Sequence, residues 1–292
     1  VIEDVSASGD ANVQGSQFVW IPVRTFKKDN KTEVEITLGR YTFDTSTGEP
    51  ILQQAAYTTS NPTNYENEVV IYWGYRNYLE TSETHRDGIA SGGTDGLNAT
   101  AKNLKEFVDS ARINGGYYIG RYEASFASGT SINNYKAASK ESKNYFEDSM
   151  SYSNGTLWNW ITQLDASKVA INTYNGTSVE SDLMNSYAWD TAIVYIQEST
   201  GLDYANKIGA NESLANTGTT GDEVCKINDM ASNLQEWTTE YCKDVDGSYA
   251  FPCTSRSGLY YNNDNFYTAR RTGSRATEAN EGNGFRLCLY IK

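Results

Sequence analysis

His85 is the only histidine of the chain, and it sits in the polar stretch Thr81-Ser82-Glu83-Thr84-His85-Arg86-Asp87. A serine–histidine–aspartate relay would have to use that one residue. Zinc or iron sites built from several histidines are excluded. There is no P-loop, and Ser91-Gly92-Gly93-Thr94-Asp95-Gly96 has the wrong glycine spacing for a dinucleotide fingerprint and no strand ahead of it. His85 therefore reads as a solvated surface residue. The four cysteines, Cys225, Cys242, Cys253 and Cys288, form no C-x-x-C pair, which argues against a zinc ribbon. Cys242 and Cys253 flank the turn-forming Lys243-Asp244-Val245-Asp246-Gly247-Ser248, so a bridge between two antiparallel strands is expected, with Cys225 and Cys288 as a second bridge. An even count suits an oxidising compartment; buried free thiols are the alternative.

The richest polar chemistry lies toward the C-terminus. Ile227-Asn228-Asp229-Met230-Ala231-Ser232-Asn233-Leu234-Gln235-Glu236-Trp237-Thr238 comes first, and the chain closes on Gly284-Phe285-Arg286-Leu287-Cys288-Leu289-Tyr290-Ile291. Between them lies Ser255-Arg256-Ser257-Gly258-Leu259-Tyr260-Tyr261-Asn262-Asn263-Asp264-Asn265-Phe266-Tyr267. Tyrosine gives large rigid contact area at low entropy cost, and Asn and Asp give adaptable hydrogen bonds; antibody loops use this alphabet. Each residue type from Leu259 to Thr268 can also be reached from an AAC or AAT codon by changing adenines alone. The plainer alternative is an ordinary surface loop, because the whole chain holds 22 tyrosines and runs such as Tyr57-Thr58-Thr59-Ser60-Asn61 occur elsewhere.

Several elements must position these segments. Phe18–Val23 reads as a first strand and Val34–Phe43 as a second strand region, with Val34, Ile36 and Leu38 alternating against Glu35 and Thr37. Residues 44–97 read as a polar insertion around the short apolar Val69–Trp73. The period over Ala99–Asn114 predicts a helix with Leu104, Phe107, Val108 and Ala111 on one face, stopped at Asn114-Gly115-Gly116. Tyr117–Ser125 reads as a strand, and a helix with Trp189 and Ala192 facing the core should run to about Gln197. Residues 1–16 are small and polar and read as a linker, leaving 17–292 as a single domain.

These segments, in this order, resemble the formylglycine-generating-enzyme (sulfatase-modifying factor) family, a branch of the C-type lectin fold. That pattern runs F-V-x-I-P, F-Y-I-G-x-Y-E-V-T, W-x-x-A, R-L-P-T-E-A-E-W-E, D-M-x-G-N-x-x-E-W-T, A-x-R and G-F-R. Phe18–Pro22, Tyr117–Ser125, Trp160–Ala166, Ser181–Asp190, Asp229–Thr238, Ala269-Arg270-Arg271 and Gly284-Phe285-Arg286 follow it, although Ser232 stands where the family has glycine and the alanine after Trp160 is off its spacing. The resemblance implies an α+β, C-type-lectin-like fold with an inserted polar region near 44–97. Catalytic members bind copper through cysteines ahead of A-x-R, as soft thiolates select Cu(I). Here no cysteine lies between Cys253 and Cys288, so the resemblance carries the fold and not the oxidase activity.

Proteins diversified by an adenine-mutating retroelement place their variable residues on this scaffold just before G-F-R, and the chain resembles them most. That implies a non-catalytic surface receptor of bacterial or phage type. Its contacts would come from Leu259, Tyr260, Tyr261, Asn262, Asn263, Asp264, Asn265, Phe266, Tyr267, Thr272, Ser274 and Arg275. Arg256, Gly258, Ala269, Arg271 and Gly284-Phe285-Arg286 would form a fixed frame. Family members also bind calcium near N-x-x-E-W, which marks Asn233 and Glu236 as ligands of a structural calcium; the alternative is a buried, hydrogen-bonded Glu236. Arg271 and Arg286 are expected to pair with buried acids.

Composition narrows the partners. With 24 basic against 37 acidic residues the net charge is −13, which argues against nucleic acid and anionic membranes. No apolar run approaches the ~20 residues that span a bilayer. A start at Val1 without a signal peptide suggests a fragment whose N-terminal anchor is missing, displayed outside the cell or on a virion. The expected partner is a macromolecule, a protein first and a glycan second. A fixed-specificity carbohydrate- or protein-binding module is the alternative function, and a residual oxidase the third.

Overall fold

The computed structural model describes all residues except 6–9, 29–31, 67–68, 74–77, 85–103, 147–151, 177, 210–212, 244–252, 262–265 and 276. The fold is mixed α+β and mostly strands. Its centre is an antiparallel sheet in the order β1 (Ile2–Glu3), β2 (Gln17–Pro22), β3 (Gly116–Gly120), β9 (Leu287–Ile291), β4 (Val179–Leu183). Alternation along β9 shows why the sheet is covered on both sides. Cys288 and Tyr290 join one core with α1 (Leu104–Asn114) and α3 (Ser186–Thr200). Leu287 and Leu289 join the other with α2 (Gln163–Thr173), Trp237 and Phe285. A strand with apolar residues at consecutive positions needs two such covers.

The helices stand where apolar spacing and caps put them. Leu104, Phe107, Val108 and Ala111 of α1 are buried as spaced, and Gly115 ends the helix in the left-handed region at φ 74°. In α3, Asn185 caps the start by accepting from the Ala188 N–H at 2.9 Å, and Gly201 at φ 73° ends it. Trp189 and Ala192 are fully buried.

A second sheet carries the C-terminal motifs. It runs β7 (Arg271–Ser274), β6 (Cys253–Arg256), β5 (Gln235–Lys243), then the hairpin of Tyr78–Thr84 and Val69–Trp73, while β8 (Asn283–Phe285) pairs parallel to β5. Part of the expected 44–97 insertion thus extends this sheet, and Pro50–Ala55 pairs with Gly39–Phe43. His85 and Ser91–Gly96 lie outside the described residues. The chain passes from β8 to β9, and so from one sheet to the other, at Arg286.

Three expectations change. The described residues of 1–16 are docked rather than a free linker: β1 pairs with β2, Val13 is buried, and the Tyr174 hydroxyl donates to Asp4 at 2.9 Å. The stretch Tyr117–Ser125 breaks after Gly120 and resumes as Ser125–Ser128, which turns Glu123 into the interior. The Val34–Phe43 region divides between Thr32–Glu35 and Gly39–Phe43. Among the described residues no helix is long and apolar enough to cross a membrane.

Candidate functional site

The strands β6 and β7 form a hairpin whose last register pair before the loop is Arg256 opposite Arg271. Both guanidiniums turn inward to the same two acids. Arg256 reaches Asp190 Oδ1 at 2.7 Å and Glu240 Oε2 at 3.3 Å; Arg271 reaches Asp190 Oδ2 at 2.6 Å and Glu240 Oε1 at 2.7 Å. Arg40 adds a third cation 3.6 Å from Glu240 Oε1. Burial works against the charge on Arg271, but Asp190 and Glu240 outweigh it and hold the group above its ordinary value. Burial, and then the neighbouring Arg271 charge, lowers Arg256. Arg256 also donates to the carbonyls of Arg270 at 3.0 Å and Ala269 at 3.2 Å, so the returning limb of the loop is tied to the outgoing one.

This clamp fixes the loop at its base. Ser257 sits at φ 90°, a strained value for a residue with a Cβ, and its hydroxyl donates to the Met230 carbonyl at 2.7 Å. A Cβ on Gly258 would lie 2.2 Å from the Ala231 carbonyl oxygen, so no side chain fits there. The Tyr260 N–H donates to the Asn233 carbonyl at 2.9 Å, and the Ala269 N–H to Ala205 at 3.0 Å. The frame positions expected from sequence are therefore buried and closely packed, Phe285 and Arg286 included.

Above the clamp the side chains part into two groups. Tyr260 and Tyr261 meet edge to face at 5.2 Å, Tyr261 and Phe266 at 5.7 Å, and the Arg270 guanidinium lies 4.0 Å from the Phe266 ring centre. Tyr261 is 48% exposed. The Tyr260 hydroxyl donates to Glu281 Oε1 at 2.6 Å; burial, with Glu281, pushes this phenol up to about 12, so it stays a neutral donor at any physiological pH. Arg275 is exposed, while Thr272 is half-buried and accepts from Gln235 Nε2 at 2.9 Å.

Two expected contact residues are corrected. Leu259 is buried, folded beneath the loop close to Gly282, because an aliphatic side chain has nothing to gain in water. Ser274 is buried at the far end of β7, where it pairs in register with the buried Cys253. Tyr267 is half-buried, packs on the main core and bridges Ile208. Asn262, Asn263, Asp264 and Asn265 lie outside the described residues.

The residues expected to hold calcium have protein partners. Glu236 accepts from Arg286 at both oxygens, at 2.6 and 3.1 Å, and Arg286 also donates to the carbonyls of Gly120 and Asn228. Asn233 donates to Glu123 at 2.6 Å and accepts from the Ala215 N–H at 2.9 Å. The Asp229 carboxylate accepts from Thr217, Gly218 and Thr220. Asp229 and Asn233 carry the left-handed backbone of this motif, at φ 63° and 64°, and Ser232 does not, so the glycine-to-serine departure costs nothing. Burial, with the nearby Asp229 and Glu236 charges, raises the Glu123 carboxyl well above its usual range.

The expected Cys225–Cys288 bridge is not formed. Both are free thiols, Cys225 in the turn between two short strands and Cys288 within the central sheet. Cys253 stands opposite Tyr241 in register, one residue from Cys242, whose side chain lies outside the described residues.

Sequence reasoning named the arginines of the clamp and missed its acids. Alternation gave no signal for Glu240, because the register of β5 against β6 shifts between Trp237 and Tyr241. No family model, curated protein or solved structure matches this chain.

Proposed function

We propose that this chain is a non-catalytic binding protein that captures a protein partner through the loop between β6 and β7, on a C-type-lectin-like scaffold of the formylglycine-generating-enzyme type. The observation that carries this reading is the aromatic group of exposed Tyr261 with half-buried Tyr260 and Phe266, standing on a base immobilised by two buried arginines. Rigid aromatics on a preorganised loop are what a contact surface needs, because little entropy is lost when a partner docks. The contact set is then Tyr260 to Phe266 with Arg275 at the rim and Thr272 beside it, and without Leu259 and Ser274. The division between a packed frame and the aromatic side chains above it also suits a loop whose tip is diversified by a retroelement while its frame stays constant. Such a protein would work outside the cell or on a virion.

A display library tests the scaffold. Codons 260–266, 272 and 275 are varied at adenines only, and clones are selected against a fixed panel of purified globular proteins. The reading expects binders whose melting temperatures stay near the parent's. Absence of binders, or binders that arise only in unfolded clones, would overturn it.

A further inference from the structure

A second recognition site lies away from the hairpin loop. A pocket of about 490 Å³ opens where the exit from β2, the end of the Thr32–Glu35 strand, residues 57–62 and α1 meet. That volume is in the range of small-molecule sites, and no described residue of the 257–275 hairpin lines it. Its floor includes Val23 and Ile36, both buried, with Pro62 and the half-buried Tyr57 ring beside them.

The polar lining is unusual for so acidic a chain. Arg24 and Arg112 both contribute to it, with Glu35 as its only described carboxylate. The side chains of Arg24, Glu35 and Thr59 have no hydrogen-bond or ion-pair partner among the described residues. Arg112 gives one nitrogen to Asp109 at 3.1 Å, and a guanidinium has five N–H donors. The Arg112 charge is also close enough to Tyr57 to act on its phenol against the burial that raises it. Among the lining residues two guanidiniums stand against one carboxylate. The planar fork of arginine matches a carboxylate. Glu35 can only accept; it suits a ligand hydroxyl and repels a second negative charge, which disfavours a phosphate dianion.

We propose that this pocket binds a sugar acid, a hydroxylated ring carrying one carboxylate, with the carboxylate bridging Arg24 and Arg112, the hydroxyls on Glu35 and Thr59, and the ring face on Tyr57 and Pro62. The ligand is either a free sugar acid or the end of a glycan.

Calorimetric titration and saturation-transfer NMR with D-glucuronate, its methyl glycoside, D-glucose and inorganic phosphate test it. Glucuronate should bind at least about tenfold more tightly than glucose or phosphate, and Arg24→Gln and Arg112→Gln should each weaken it by about tenfold. Arg24 and Arg112 are solvent-facing, so both variants should melt like the parent, and Tyr261→Ala should bind glucuronate unchanged. Binding of the glycoside as well makes the ligand a glycan end; binding of glucuronate alone makes it a free sugar acid. Glucuronate binding no better than glucose, phosphate binding better than glucuronate, or full binding by the folded Arg24→Gln protein would overturn the proposal.

Discussion

Replacing Asp190 by Asn removes one of the two anions on which the hairpin base is built. Asp190 accepts from Arg256 at 2.7 Å, from Arg271 at 2.6 Å and from the Tyr41 N–H at 2.9 Å, with its side chain fully buried. The amide keeps the shape but turns one oxygen into a donor, which then faces a donor. Three arginines, Arg40, Arg256 and Arg271, would be left around Glu240 alone. Breaking a buried pair from one side costs about 3–5 kcal/mol, because uncompensated charge stays in the interior. That is a large part of the roughly 5–15 kcal/mol that holds a typical domain together. Urea unfolding read by tryptophan fluorescence gives the loss directly. Asp165→Asn is the control: its partner Lys168 is 3.3 Å away with both side chains well exposed, and the change should cost no more than about 0.5 kcal/mol. The reasoning fails if Asp190→Asn loses under about 1 kcal/mol, or no more than the control.

Further outcomes follow from the same structure. Gly258→Ala places a Cβ 2.2 Å from a backbone oxygen that cannot swing aside, so it should cost about 1–3 kcal/mol by urea unfolding and open the loop to chymotrypsin. Tyr261→Ala should leave stability within about 1 kcal/mol, yet weaken a loop-selected binder by more than tenfold in surface plasmon resonance. The pH dependence has a definite sign. Glu123 has a folded value above its ordinary 4.5, so the folded protein holds the proton more tightly than the unfolded chain. Stability from this group is fully present below about 4.5 and is lost as the pH rises through the raised value. Melting curves between these limits should show it, and Glu123→Gln should flatten that dependence.

Much of the frame was legible from spacing. The apolar face of α1, the buried Trp189, and the inward turn of Arg271 and Arg286 follow from periodicity and from the cost of leaving a guanidinium unpaired in a core. What stayed hidden depends on contacts distant in the chain. Asp190 lies on a helix buried nearly all round, and its partner Arg256 is 66 residues away. Cysteine pairing is a matter of where the strands fall, and Cys225 stands in a turn while Cys288 lies within the central sheet. The contact set from Leu259 to Arg275 follows composition, whereas the fold sorts it by packing, which takes Leu259 under the loop and Ser274 to the position paired with the buried Cys253. Tyr57–Asn61 read as an incidental polar run, and only the packing of α1 against the N-terminal strands turns part of it into a pocket wall.

The most direct test of the binding-loop account is deep sequencing of this gene and its flanking DNA across a natural population. The account predicts substitutions concentrated at codons 260–266, 272 and 275, confined to adenines of a nearby template repeat, with Arg256, Gly258, Ala269, Arg271 and Gly284-Phe285-Arg286 constant. A loop no more variable than Tyr117–Ser125 would contradict it.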